Sequence, residues 1–458
     1  MSIITDVDSY KVGMFKQYPP KTEYVSSYIE SRGSDEPDFD ESVFFGLEYY
    51  IKEYLMKPVT MEDLEEAKEI FDLHGEPFPY DEWKYIIDEY DGYLPLKIES
   101  VLEGSVLPLS NVLVQITNTD PKCFWLTTWV ETPILRNVWY ASTVATNSRA
   151  IKKELKKFYD KSGSVDGLDF KLHDFGARGV SSKESAGLGG LAHLINFMGT
   201  DNVEALMFGR KYYNILMAGF SIPASEHSTI TAWGIKNENK AFENMLNQFP
   251  DYPIIACVSD SYNIYKAVDE LWGKQFKHRI LDGNQTIVIR PDSGDPLTVP
   301  IEVIERLMAK FGYSVNSKGY KTLPKQVRVI QGDGITKDSI KLILGNMEKA
   351  KLTLDNLSFG MGSGMLQQVN RDTLKYAMKA NAICIDGVWS DVYKDPINGG
   401  KQSKRGVLGL YHNENDGWIT ERKLPNDESF NNLNVVDDTG IMKTDTLFKF
   451  VRQRARIE

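Results

Sequence analysis

The chain is poor in cysteine and histidine, with three of the first (Cys123, Cys257 and Cys384) and six of the second in 458 residues. Cysteines this few and this widely spaced build neither a disulfide framework nor a zinc site, which fits a reducing, cytoplasmic setting. HExxH, CxxC and nucleophile-elbow patterns are missing, so zinc-protease, dithiol-redox and α/β-hydrolase chemistry lack support. No run of about 18 apolar residues occurs, and the opening MSIITDVDSYKVGMFKQYPP puts Asp6, Asp8 and Lys11 where a signal peptide needs apolar side chains. No membrane partner is expected. Positive charge is not in excess either: the net charge of −11 argues against nucleic acid, while leaving room for a local basic pocket that takes a phosphorylated small molecule.

What is present reads as α/β. TEYVSSYIESRG (22–33) alternates like a strand, and MEDLEEAKEIFDLHG (61–75) has helical spacing behind an acidic start. The acidic run from Asp81 to Asp91 reads as a solvated face, and residues 99–117 as paired strands. A helical pattern covers 124–161, with an interruption expected near Pro133. From about residue 170, short apolar strands recur, each followed by a polar or glycine-rich loop and a helical pattern. They are FKLHDFGARG, VEALMFG, SIPASEHSTITAWG, YPIIACVSDSYN, QTIVIRPDSGDP, QVRVIQGDG and LSFGMGSG. Strand–loop–helix units at this spacing predict a parallel sheet closed as a (β/α) barrel over 166–379. Residues 1–165 and 380–458 are expected to form one discontinuous α+β domain, the C-terminal tail packing back on the N-terminal region. The segment 398–401 reads as a flexible loop.

Active sites of such barrels lie in the loops after the strands. His227, Asp174, Asp260, Arg290, Asp292 and Asp333 all fall at predicted strand ends. FGMGSGM (359–365) suits either a phosphate cradle of backbone N–H groups, ahead of a helix carrying Arg371, or a plain tight turn. Asp292 and Asp333 suit sugar hydroxyls or the water shell of Mg²⁺, and equally suit helix caps. Phe175 and Arg178 suit a stacked ring and a phosphate, or a core aromatic and a surface cation. His227, between Glu226 and Ser228, is either a catalytic or a hydrogen-bonded structural residue, with Glu226 placed to orient its ring.

Taken together, several segments resemble the nicotinamide phosphoribosyltransferase family, in family order over nearly the whole chain. They include DSYKVGMFKQYPP (8–20), TVATNS (143–148), LHDFGARGVSS (172–182), NFMGTDNV (196–203), SIPASEHSTITAWG, VSDSYNIY (258–265) and IRPDSGDPL (289–297). NSKGYKTLP (316–324), VIQGDG (329–334), FGMGSGMLQ (359–367) and YKDP (393–396) complete the series. The resemblance implies a type II phosphoribosyltransferase barrel and a homodimer with shared active sites. It implies transfer of the 5-phosphoribosyl group of phosphoribosyl pyrophosphate to nicotinamide, with Mg²⁺ held mainly through pyrophosphate and water. Phe175 and Tyr10 of the partner subunit would sandwich the pyridine ring. Asp201 would accept from the carboxamide NH₂, and Arg290 would lie near its oxygen. Asp292 and Asp333 would hold the ribose, and Gly362, Ser363 and Arg371 the 5-phosphate. Arg178, Lys379, Lys394 and Lys401, with Arg32 of the partner subunit, would line the phosphate and pyrophosphate region. His227, close to Asp260, would be phosphorylated by ATP as co-substrate.

The chain departs from the better-known family pattern at Ala177, Ser363, Ala256 and Ala377. The rival acceptor is nicotinate, against which an ionised Asp201 argues by like-charge repulsion.

Overall fold

The computed structural model describes residues 2–397, 402–415, 417–423 and 431–457. Six parallel strands lie side by side in the order Gly199–Thr200, Leu172–Asp174, Leu357–Met361, Val327–Gln331, Thr286–Arg290 and Ile254–Val258. Parallel bridges from Gly199 to Phe220 and from Ala224 to Ala256 join the two edges through residues 220–224. The sheet therefore closes on itself, removing its open edges. In the outer three of these strands, Ile255, Cys257, Ile287, Ile289, Val327 and Val329 point outward and are buried against the surrounding helices. Ala256, Val288 and Ile330 point inward, packed with Phe175 and Ile222. The barrel interior is not filled: a cavity of about 290 Å³ runs through it.

A second sheet of seven antiparallel strands interleaves both ends of the chain. Its order is Val388–Asp391, Tyr376–Ile385, Thr22–Ser31, Val112–Asn118, Leu96–Ser100, Asn434–Asp438 and Ile441–Met442. Under it lies a separate core in which Trp83, Trp125 and Trp129 pack edge to face.

Three local expectations change. VEALMFG lies in a helix, Val203–Tyr212, capped by Asn202, whose side chain accepts from the Ala205 N–H at 3.3 Å. The strand of that unit is only Gly199–Thr200, too short to show a period. Pro133 does not interrupt the helix Glu131–Ser162 but sits in its first turn, where its missing N–H costs nothing. The closing helix, Phe448–Arg454, joins the barrel-side core. There Phe448 packs on Tyr213 and Phe45, and Arg452 donates to the carbonyls of Leu194 and Ala218. The predicted loop 398–401 lies outside the described residues. Among the described residues, no helix is long and apolar enough to cross a membrane.

Candidate active site

His227 is the first residue of the short helix His227–Thr231, and Asp260 follows the strand Ile254–Val258. The His227 Nε2 lies 2.9 Å from Asp260 Oδ1. Asp260 is in turn fixed by the next loop: its Oδ2 accepts from the Asp292 N–H at 3.1 Å and from the Ser293 hydroxyl at 2.5 Å. The other ring nitrogen, Nδ1, is 3.9 Å from Asp292 Oδ2. The His227 side chain is 45% exposed, so one nitrogen is held by protein while the ring still faces solvent. The partner of the ring is thus Asp260; Glu226 instead accepts from Ser228 Oγ.

Arg290 ends the strand Thr286–Arg290 and grips Asp292 with two bonds, Nε to Oδ1 at 3.1 Å and Nη2 to Oδ2 at 2.7 Å. Such a fork largely cancels both charges. Asp333, after Val327–Gln331, is exposed, and the Gln331 amide donates to its backbone carbonyl at 2.9 Å.

The barrel cavity brings Phe175, Asp201 and Arg290 to a common lining with His173, Ser221 and Ala256. The Ser221 hydroxyl donates to Asp201 Oδ1 at 2.5 Å. His173 Nε2 lies 2.9 Å from the Phe170 carbonyl, and burial lowers the affinity of its ring for a proton. A Cβ at Gly360 would fall 2.0 Å from the Phe175 ring, so this glycine is the seat of that ring. At the far end of the cavity Arg328 pairs with Asp166 at 3.0 Å, and burial pushes Lys171 down to about 8.

The glycine loop after Leu357–Met361 leads into one helical turn, Ser363–Leu366. Its first N–H groups, at Ser363 and Gly364, are not used by the turn itself. Ser363 Oγ sits 3.4 Å from the Gly179 carbonyl, beside Arg178. Arg371 is not on a helix as expected: it follows in a turn, exposed, with Nη2 3.1 Å from Asp372.

Lys379 lies on the antiparallel sheet, Arg32 directly follows its strand Thr22–Ser31, and Lys394 lies in the loop after Val388–Asp391. Lys379 lies opposite Tyr28 in the register and 3.9 Å from Glu131, which also receives Lys11 at 2.5 Å. Burial holds the Lys379 ammonium below the ordinary lysine range; Arg32, Lys11 and Lys394 act in the same direction and Glu131 opposes them. Arg32 Nε donates to Glu30 at 3.1 Å, and its buried Nη2 has no partner among the described residues. Tyr10, on the 3₁₀ helix Ser9–Lys16, is 60% exposed. Lys401 lies outside the described residues. Ala377 is buried in the strand Tyr376–Ile385, and Ala177 is exposed in the loop after Phe175.

Sequence reading put Asp174 on the functional face without a role, and missed Asn202, Ser221 and Gly360 as parts of this site. Asp174 was legible only as a strand end, and Gly360 only as part of a phosphate loop. Among the described residues no three His, Cys, Asp or Glu side chains converge as a metal-ligand set.

Comparison with known proteins follows the same lines. Residues 170–437 match the model of the nicotinate phosphoribosyltransferase (NAPRTase) family, and residues 2–98 that of the nicotinamide phosphoribosyltransferase N-terminal domain. A nicotinamide phosphoribosyltransferase of Xanthomonas campestris pv. campestris is 49% identical over 420 residues, covering 91% of this chain and 89% of its own. One from Acinetobacter baylyi is 30% identical, covering 98% of this chain and 96% of its own. Among solved structures, nicotinate-nucleotide pyrophosphorylase from Pyrococcus furiosus superposes with a TM-score of 0.61 at 16% identity, covering 99% of this chain and 94% of that one. Human nicotinic acid phosphoribosyltransferase gives 0.56 at 14% identity, covering 98% and 92%. At these identities the structural likeness speaks to the fold.

Proposed function

The chain belongs to the nicotinamide phosphoribosyltransferase family, and from that premise we propose that it transfers the 5-phosphoribosyl group of phosphoribosyl pyrophosphate to nicotinamide. The products are nicotinamide mononucleotide and pyrophosphate, a step of NAD salvage. The observation that carries the choice of acceptor is the joint placement of Phe175, Asp201 and Arg290 on one cavity.

Arg290 is paired with Asp292, whereas Asp201 has no ion-pair partner among the described residues and accepts from the Ser221 hydroxyl. An anion there attracts a carboxamide NH₂ and repels a carboxylate. Nicotinate is the second reading. The match of residues 170–437 to the nicotinate phosphoribosyltransferase family favours it, and it requires Arg290 to leave Asp292 for the substrate.

The pyridine nitrogen attacks the anomeric carbon of the ribose, its bond to the pyrophosphate oxygen breaks, and no proton need move. Phe175 offers a face whose attraction for the ring grows as the ring becomes cationic. Asp292 and Asp333 accept from the ribose hydroxyls. Gly362, Ser363 and Arg371 hold the 5-phosphate, and Arg178 lines the phosphate and pyrophosphate region. The strand-end carboxylates Asp292 and Asp333 are hard oxygen donors suited to the water shell of Mg²⁺. Mg²⁺ bound to pyrophosphate supplies charge neutralisation of the leaving group.

His227 takes the γ-phosphoryl group of ATP in this reading. With Nε2–H donating to Asp260, the lone pair on Nδ1 attacks phosphorus, the bond to the ADP oxygen breaks, and ADP leaves. Tyr10 and Arg32 complete the site of the neighbouring subunit in a homodimer, and Lys379, Lys394 and Lys401 line its phosphate and pyrophosphate region. The exposure of Tyr10 supports this arrangement.

The test offers nicotinamide and nicotinate separately to the enzyme with phosphoribosyl pyrophosphate and Mg²⁺, with and without ATP. Selective, ATP-stimulated use of nicotinamide is expected. Selective use of nicotinate would overturn the reading of the acceptor pocket.

A further inference from the structure

Asp174 is a fully buried carboxylate that the chemistry above does not use. It ends the strand Leu172–Asp174, immediately before Phe175. Its Oδ1 accepts from the Gly176 N–H at 2.7 Å, closing the loop around Phe175. Its Oδ2 accepts from the Asn202 amide at 2.9 Å, next to Asp201. Its backbone carbonyl accepts from the Asp201 N–H at 3.0 Å. One residue thus ties together the two loops that present the ring-stacking face and the amide acceptor.

The surroundings are shaped for this tie. Asn202, 1% exposed, also donates to the Ala186 carbonyl at 2.8 Å while its oxygen caps the helix Val203–Tyr212. A Cβ at Gly190 would lie 2.3 Å from the Asn202 amide nitrogen and 3.0 Å from Asp174 Oδ2, so only glycine lets the pair meet there. A Cβ at Gly176 would fall 3.0 Å from both Asp174 Oδ1 and the Gly362 carbonyl, which places the same loop against the phosphate cradle.

We propose that Asp174 is a positioning residue for the acceptor pocket: through Gly176 and Asn202 it holds Phe175 and Asp201 at the spacing of a nicotinamide ring, without touching the ring. This rests on the acceptor reading given above. A buried carboxylate with two N–H donors is worth keeping only if both bonds are made, and losing one donor orientation lets the two loops drift independently.

The experiment compares steady-state kinetics of the wild type, Asp174→Asn, Asn202→Asp and the exchange Asp174→Asn/Asn202→Asp. In Asp174→Asn the new NH₂ confronts either the Gly176 N–H or the Asn202 amide. The KM for nicotinamide should rise about tenfold or more, the worth of a hydrogen bond to a charged group. The KM for phosphoribosyl pyrophosphate should change by less than about threefold, and kcat by less than the nicotinamide KM. The exchange restores the Asp174–Asn202 pair in reversed direction but turns a carboxylate towards the Ala186 carbonyl, so it should recover part of the lost affinity, and the split between the two KM values is what separates positioning from a merely structural role. If Asp174→Asn does not fold, Asn202→Ser, which removes the same bond from the other side, should show the same KM split.

Equal rises in both KM values, a loss of kcat at unchanged nicotinamide KM, or an exchange variant no better than its parents would each overturn the proposal. A wild type that makes no mononucleotide from nicotinamide would overturn the acceptor reading itself and this inference with it. An active wild type with an unmoved KM in the variants would overturn the inference alone.

Discussion

His227 and Asp260 stand 33 positions apart in sequence and 2.9 Å apart in space, and Asp260 is itself held by the N–H of Asp292 and the hydroxyl of Ser293. The carboxylate is therefore fixed before the imidazole meets it, and it selects which ring nitrogen stays free.

Asp260→Asn should slow phosphoenzyme formation from labelled ATP by about ten- to a hundredfold, since an amide cannot stabilise the imidazolium-like product as a carboxylate does. His227→Ala should abolish labelling and ATP stimulation while leaving ATP-independent transfer. Undiminished labelling in His227→Ala would place the phosphoryl group on another residue.

Asp201→Ser removes a carboxylate that lines the ring pocket with no ion-pair partner among the described residues. The ratio of kcat/KM for nicotinamide over nicotinate should fall by about tenfold or more, since Asp201 is exposed and solvent screens part of the like-charge repulsion. Ser221, which now donates to Asp201, would be left free to meet a carboxylate. An unchanged ratio would separate Asp201 from acceptor choice.

Gly360→Ala puts a methyl group where the Phe175 ring lies, 2.0 Å from the nearest ring atom. The ring is packed against Ala256, Val288 and Ile330 and cannot retreat without disturbing them. A loss of about 1–3 kcal/mol in unfolding free energy and a raised KM for nicotinamide are expected. Denaturant titration beside kinetics separates the two effects, and a variant unchanged in both would mean that the ring moves freely.

Shared sites can be tested by mixing. Tyr10→Ala and Asp201→Ala should each be impaired alone, since each damages both sites of a symmetric dimer. After subunit exchange, mixed dimers carry one intact site, and about a quarter of wild-type activity should return. No recovery on confirmed exchange would mean that Tyr10 and Asp201 serve the same subunit's site.

Glu103 carries the acid–base prediction for stability. Burial, reinforced by the charge of Glu48, pushes its carboxyl up to about 8, and its Oε1 accepts from the N–H groups of Gly46 and Glu48 at 2.8 and 2.9 Å. Between pH 4.5, where the unfolded group ionises, and about 8, the folded state binds the extra proton. Its contribution to stability therefore falls as pH rises through that window. Glu103→Gln, which mimics the protonated acid, should flatten the decline of the urea midpoint between pH 5 and 8. An identical slope would locate the pH dependence elsewhere.

The sequence by itself determined the barrel, because each unit repeats a local signal: an apolar strand, a loop rich in Gly or Asp, a helix. It also placed His227, Asp260, Arg290, Asp292 and Asp333 on the face where strands end, since strand ends can be read from the apolar runs before them. The roles of Tyr10, Asp201 and the basic residues came from resemblance, not from their spacing. The two-residue strand at Gly199–Thr200 was illegible, being shorter than any period, and so its helix was taken for a strand. Tertiary structure alone decided that Asp260, not the adjacent Glu226, holds His227, and that Gly360 serves the Phe175 ring rather than a phosphate. It alone brought Asp174 to Asn202, and set Lys379 on the antiparallel sheet with Arg32 directly after its strand Thr22–Ser31. Hydrogen bonds and close approaches act over about 3 Å, and residues that distant in sequence come within that range only when the closed sheet sets the spacing of its loops.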